Sequence, residues 1–237
     1  MWEVDEGLKN NYFAVCQEAA INNGVFSSFR SNPRYNQILE HVSQEMGARY
    51  FDIIQKESPH LCWFYKFITS ESIGQPTVHR YGSFNISPTT LRYIKVLSDL
   101  VKIYPSLDGL HIAEIGGGYG GQCKIIHDVF TPASYTIFDD PKVIPLQERF
   151  LEKAKVNGCS HIYFNKPREN FDLVVSNYCL DELSGDLQNY YKEVVLNKCC
   201  VFYITAIKEL SHLLEKPYEK LCQKHIADVG DHALYVK

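Results

Sequence analysis

Leu110-His111-Ile112-Ala113-Glu114-Ile115-Gly116-Gly117-Gly118-Tyr119-Gly120-Gly121-Gln122 is the stretch on which the fold turns. Residues 110–115 are mostly apolar and read as a buried strand. Five of the next six residues are glycine, and residues 122–129 read as a helix. In a strand, glycine turn, helix succession, small residues let a ligand approach the backbone. The helix N-terminus adds free N–H groups. Working downstream, strands are expected over 135–138, 161–164, 171–176 and 199–206. The run Phe171-Asp172-Leu173-Val174-Val175-Ser176 suits a strand covered on both faces. Helices are expected over 143–156, 187–196 and 208–224, the last broken near Pro217. A closing antiparallel hairpin is expected from 225–229 and 232–236 around Gly230-Asp231. Strands alternating with helices predict a mostly parallel, Rossmann-like α/β sheet over residues 108–237.

Upstream, residues 1–107 read as a helical cap. Residues 36–55 place Ile38, Leu39, Val42, Met46, Tyr50 and Ile53-Ile54 at helical spacing. Asn32 before Pro33 reads as an N-cap with proline in the first helical position. Residues 71–88 have loop chemistry, and Thr89-Thr90 can cap a helix over 91–104. Tyr81 and Phe84 in that loop are better placed for a ligand than the aromatics from Trp63 to Phe67, which read as packing.

Composition narrows the function. The chain has 237 residues, 45% hydrophobic and 22% charged, with a formal net charge of −4. That excludes a disordered chain and offers no basic field for nucleic acid. No apolar run reaches the ~18–20 residues of a membrane span. The acidic N-terminal sequence lacks signal-peptide character. Eight cysteines show no Cys-x-x-Cys pair. They read as reduced core residues, and a cytoplasmic location is expected.

The glycine run fits two templates. Gly116-x-Gly118-x-x-Gly121 fits a dinucleotide fingerprint. Glu114-x-Gly116-x-Gly118-x-Gly120 fits the first motif of class I methyltransferases that use S-adenosylmethionine. An NAD(P)-dependent oxidoreductase would need a substantial catalytic domain beyond the sheet, and what remains is about one methyltransferase core. Together with Ser87-Pro88-Thr89-Thr90-Leu91-Arg92-Tyr93, Asp139-Asp140-Pro141, Pro145-Leu146-Gln147 and residues 171–178 followed by Glu182, the motif resembles the sugar O-methyltransferase family. The resemblance runs from about Phe26 to the last strand. Two departures stand out. The family often has Asp-Leu-Pro where this chain has Asp139-Asp140-Pro141. It also tends to a Ser/Phe-rich turn where this chain has Cys179-Leu180-Asp181.

The resemblance implies S-adenosylmethionine as cofactor and a sugar or oligosaccharide hydroxyl, such as that of a deoxyhexose like rhamnose, as acceptor. A fused or associated glycosyltransferase is the implied partner. It implies that Glu114, Gly116, Gly117, Gly118, Tyr119 and Gly120 border the cofactor, with Asp139 or Asp140 on the ribose. Ser176 and Asn177 would lie beside the sulfonium, and Arg92 or Tyr81 would reach the carboxylate. A sugar hydroxyl needs a general base. Asp181 and Glu182 lead, with His79 and His232 as alternatives, and Asp181 could instead cap a helix. No metal is expected; if one binds, Asp181 and Glu182 are the expected ligands. A non-catalytic module serving a glycosyltransferase is a further alternative.

Overall fold

The structure is a computed structural model and describes residues 6–58, 66–162, 170–214, 218–222 and 233–236. It divides into two compact units. One comprises Met1–Leu107, Gly118–Phe130 and Pro141–Asn157, and the other Asp108–Gly117, Thr131–Asp140 and Gly158–Lys237. Two helices that follow sheet strands in sequence therefore group with the N-terminal helices.

The helical unit begins with α1 (Glu6–Ile21), α2 (Asn23–Ser28), α3 (Pro33–Asn36) and α4 (Gln44–Glu57). Asn32 caps α3 as expected: its side chain accepts from the Arg34 N–H, with Pro33 in the first turn. The helix expected over 36–55 is interrupted. Ser43 accepts from the Met46 N–H and starts α4 there. Residues 71–88 hold a short hairpin, β1 (His79–Tyr81) with β2 (Phe84–Ile86). Next comes α5 (Pro88–Ile103), and its N-cap is Ser87 rather than Thr89 or Thr90. With Pro88 at the first position, the hydroxyl of Ser87 reaches the Thr89 N–H at 3.2 Å.

The sheet unit contains β3 (His111–Ile115); the chain then returns to the helical unit for α6 (Gly121–His127). β4 (Ser134–Phe138) is followed by α7 (Ile144–Lys153) of the helical unit. The sheet unit continues with β5 (Cys159–Ile162), β6 (Phe171–Asn177), α8 (Gly185–Val194), β7 (Cys199–Ala206), β8 (Glu219–Cys222) and β9 (Ala233–Val236). Among the described residues the sheet has seven strands in the order β5-β4-β3-β6-β7-β9-β8. The first five pair in parallel. β9 runs antiparallel to both its neighbours. This is a Rossmann-like α/β sheet, mostly parallel and closed by an antiparallel strand. Its core packs Ala113, Val174 and Ile204 against Phe138, Tyr191 and Tyr235.

Two C-terminal expectations change. The helix over 208–224 is absent over residues 219–222, which form β8. Leu210, Leu213 and Leu214 are buried in the sheet core from a turn, which accounts for their apolar spacing. The described antiparallel partner of β9 is β8, while 225–229, the expected partner, lies outside the described residues, as do Gly230 and Asp231.

Candidate functional site

In an open parallel sheet, ligands bind beyond the carboxyl ends of the strands where the strand order reverses. Here the order reverses between β3 and β6. Ile115 and Ser176 are register partners at that point. The Ser176 hydroxyl donates to the Ile115 carbonyl at 3.1 Å. Ser176 is thus a buried tie between the two strands, with its hydroxyl already spent. On the other flank the Gly116 N–H donates to the Phe138 carbonyl at 2.8 Å.

Gly116 has φ +79°, and a Cβ there would lie 2.3 Å from the Cys179 sulfur. Both the backbone and the space require glycine. A Cβ on Gly117 would meet Ile137 at 2.6 Å and come within 3.5 Å of a Glu114 carboxyl oxygen. Beyond β6, Tyr178 has φ +54°, a conformation costly for a non-glycine residue. Its N–H is held by the Thr205 carbonyl at 2.9 Å. Thr205 also donates its hydroxyl to the Asn177 Oδ1 at 3.3 Å, leaving the buried Asn177 Nδ2 without a partner among the described residues.

Carboxyl groups collect at this edge. Glu114 is buried and accepts from the Tyr135 hydroxyl at 2.9 Å. Burial pushes its carboxyl up to about 8, opposed by the Tyr135 hydrogen bond and reinforced by Asp139. Asp139 accepts from the Asp140 N–H at 2.8 Å. The Cys179 thiol is pushed well above its ordinary range by burial and then by the charges of Asp139, Glu182, Asp181 and Glu114. Four carboxyl groups therefore act on one sulfur that itself rests against the glycine turn.

Asp181 and Glu182 part company. Asp181 is buried, and its Oδ2 accepts from the Ile207 and Lys208 N–H groups at 2.8 and 3.0 Å. It braces the chain leaving β7. It is not a helix cap; Ser184 occupies the N-cap position of α8. Its Oδ1 is buried without a hydrogen-bond partner among the described residues. Glu182 is exposed on the same short turn. Among the described residues these two acids join no group of three or more ligand atoms close enough to hold an ion.

The remaining candidates belong to the helical unit. A Cβ on Gly118 would approach Leu39 at 2.8 Å. Gly120 is the N-cap residue of α6. The Tyr119 ring turns inward, with centroids 4.7 Å from Phe150, 5.7 Å from Phe29 and 6.1 Å from Tyr93. The Arg92 guanidinium lies over the Tyr93 ring at 5.6 Å. Tyr81 stacks on Phe51 and donates its hydroxyl to the Gln44 carbonyl at 3.1 Å. Its phenol is pushed up to about 12 by burial. His79 begins β1, opposite Ile86. His232, Trp63, Phe64 and Tyr65 lie outside the described residues.

Sequence reasoning missed Tyr135, Tyr178 and Cys179. Tyr135 was within reach of it. Glu114 is the register partner of Ile137, and Tyr135, two residues earlier in β4, shares the face of Ile137. The positive φ of Tyr178 and the seat of Cys179 under Gly116 come from the tertiary path alone.

No family model matches the chain. An isoflavone 4'-O-methyltransferase of Medicago truncatula is 37% identical over 49 residues, 21% of this chain. The match spans only 13% of that protein's length. Among solved structures, protein 1320 of Thermoplasma acidophilum is similar at 14% identity and TM-score 0.45, over 63% of this chain and 87% of its own. An O-methyltransferase family protein of Burkholderia thailandensis is similar at 9% identity and TM-score 0.40, over 63% of this chain and 57% of its own.

Proposed function

We propose that the chain is an S-adenosylmethionine-dependent O-methyltransferase acting on a sugar hydroxyl of a glycan or glycan precursor. The observation that carries the reading is the set of carboxyl groups at the strand-order reversal, beside the glycine turn. A cofactor with a sulfonium and an ammonium group suits an edge that offers carboxyl oxygens. The pyrophosphate of a nicotinamide dinucleotide, which seeks N–H groups and positive charge, does not. The sugar acceptor rests on the resemblance of residues 87–93, 115–122 and 171–182.

The residues present fit such a cofactor. Asp139, directly after β4, is the proposed acceptor from ribose hydroxyls. Glu114 and the turn at Gly116 and Gly117 border the amino-acid part. When bound, the sulfonium supplies the activated methyl group. The chain's own task is to orient the acceptor, exclude water and take one proton from its hydroxyl. Glu182 is the proposed base, since its carboxylate is exposed beside the sheet edge. Asp181 is a positioning residue, because one of its oxygens is committed to two backbone N–H groups. A fused or associated glycosyltransferase is the proposed partner, and the cytoplasm the proposed location. No helix among the described residues is long and apolar enough to cross a membrane.

Isothermal titration with S-adenosylmethionine, S-adenosylhomocysteine and NAD(P) tests the reading. Binding of the first two and not the third is expected. A folded sample that binds neither sulfur compound refutes it. A screen of glycan acceptors with labelled cofactor then identifies the sugar.

A further inference from the structure

Within the helical unit one charged side chain is fully buried and held by charged and aromatic neighbours. Arg30, in the turn after α2, is fully buried. Its Nε donates to a Glu40 carboxyl oxygen at 2.6 Å, and its Nη2 to the Thr90 hydroxyl at 3.2 Å. A Glu71 carboxyl oxygen lies 4.0 Å from Nη1. Ser87 donates its hydroxyl to Glu40 at 3.2 Å and its N–H to Glu71 at 3.3 Å. The Arg30 guanidinium is also 4.8 Å from the centre of the Tyr119 ring. The Arg30 charge therefore faces two buried carboxyl groups on one side and an aromatic face on the other.

A buried ion cluster is weak evidence of added stability, and in some proteins such a cluster fixes one geometry instead. What this cluster can fix is Tyr119. That residue stands between Gly118 at φ +57° and Gly120 at φ +91°. Flanking glycines leave the backbone free to swing. The ring counters that freedom, since it is closed in by Phe29, Tyr93 and Phe150 and covered by Arg30. A Cβ on Gly121 would strike Tyr93 at 2.4 Å, so the next residue is seated against the same wall.

We infer that Tyr119 and Arg30 form a clamp that holds the glycine loop in its ligand-ready conformation, both acting as positioning residues for the cofactor. This rests on the cofactor reading above. It also accounts for the Ser87 to Tyr93 motif: Ser87 and Thr90 complete the polar half of the clamp, and Tyr93 its aromatic half. The ring does the work, so the Tyr119 hydroxyl is dispensable.

Hydrogen exchange of residues 118–121 in the full chain, paired with calorimetric affinity for S-adenosylhomocysteine, tests the clamp. Tyr119→Leu is expected to speed loop exchange and weaken binding about 10-fold or more, the scale of ~1.4 kcal/mol. Tyr119→Phe is expected to stay within about twofold of wild type, well under that step. Arg30→Met is expected to behave like Tyr119→Leu. Should it fail to fold because Glu40 and Glu71 lose their cation, Thr90→Val, which removes one partner of Arg30, gives the same sign with a smaller effect. Wild-type exchange in the loop of a folded Tyr119→Leu protein overturns the clamp. A loosened loop with unchanged affinity overturns its role in binding. If the wild-type chain binds neither sulfur compound, the cofactor reading fails, and the exchange arm alone still decides the clamp.

Discussion

Asp181 and Glu182 are neighbours in sequence with opposite environments, and that difference predicts opposite kinetics. Glu182→Gln removes the proposed base and should lower kcat by about 10²–10⁴-fold, with KM little changed. Asp181→Ala removes the acceptor of the Ile207 and Lys208 N–H groups and should cost about 1–3 kcal/mol of stability. Asp181→Asn keeps one oxygen for both N–H groups and should lose less. Rate and stability distinguish the two sites: only Glu182→Gln should lower kcat while leaving the melting temperature close to wild type. Glu114 makes a second prediction. Its carboxyl titrates at about 8 in the folded chain against an ordinary value of 4.5. Between those values the folded state holds a proton that the unfolded state has lost. Stability is therefore full below about 4.5 and falls as pH rises toward 8, by up to about 1.4 kcal/mol per pH unit. Glu114→Gln mimics the protonated form and keeps a partner for Tyr135. Urea melts at pH 5 and pH 8 should show wild type losing stability relative to the variant. Parallel curves would refute the assignment.

Elements were legible in sequence where burial is symmetrical. β6 and β7 are apolar nearly throughout because neighbouring strands and both faces exclude water, and the expected 171–176 and 199–206 match them closely. The turn at Gly116 was legible because a glycine run directly after an apolar strand marks a left-handed backbone, and Gly116 has φ +79°. The break between α3 and α4 was not legible. Ile38, Leu39, Val42 and Met46 keep a helical period across residues 37–43, and a periodic pattern hides a cap that is decided by one hydroxyl. β8 was missed for a related reason: an edge strand is specified by its partner β9 more than by its own alternation. The start of α5 shows the energetic side. Ser87 caps the helix, binds Glu40 through its hydroxyl and binds Glu71 through its N–H. Ser87→Ala removes the first two and should cost about 1–2 kcal/mol. Thermal melts should show a fall of several degrees, at roughly 2–4 °C per kcal/mol for a chain of this size. An unchanged Tm would mean that water replaces the cap without loss.

At the scale of the whole molecule, stability should report which cofactor the chain takes. The net charge is −4, and part of that charge is gathered at one sheet edge. Any ligand that binds only the folded chain stabilises it by mass action. At a concentration of about 100 times Kd the gain is about 2.7 kcal/mol. For a chain of 237 residues that corresponds to a rise in Tm of roughly 5–10 °C. S-adenosylmethionine and S-adenosylhomocysteine should both produce it. The sulfonium carries a charge that the homocysteine product lacks. If the carboxyl edge contributes through that charge, the gap between the two affinities should narrow as salt rises from low to physiological strength, because exposed charges such as Glu182 are screened over ~8–10 Å. NAD(P) should leave Tm unchanged. A rise with NAD(P) and none with the sulfur compounds would reassign the glycine loop to a dinucleotide and remove Glu182 from its role as base.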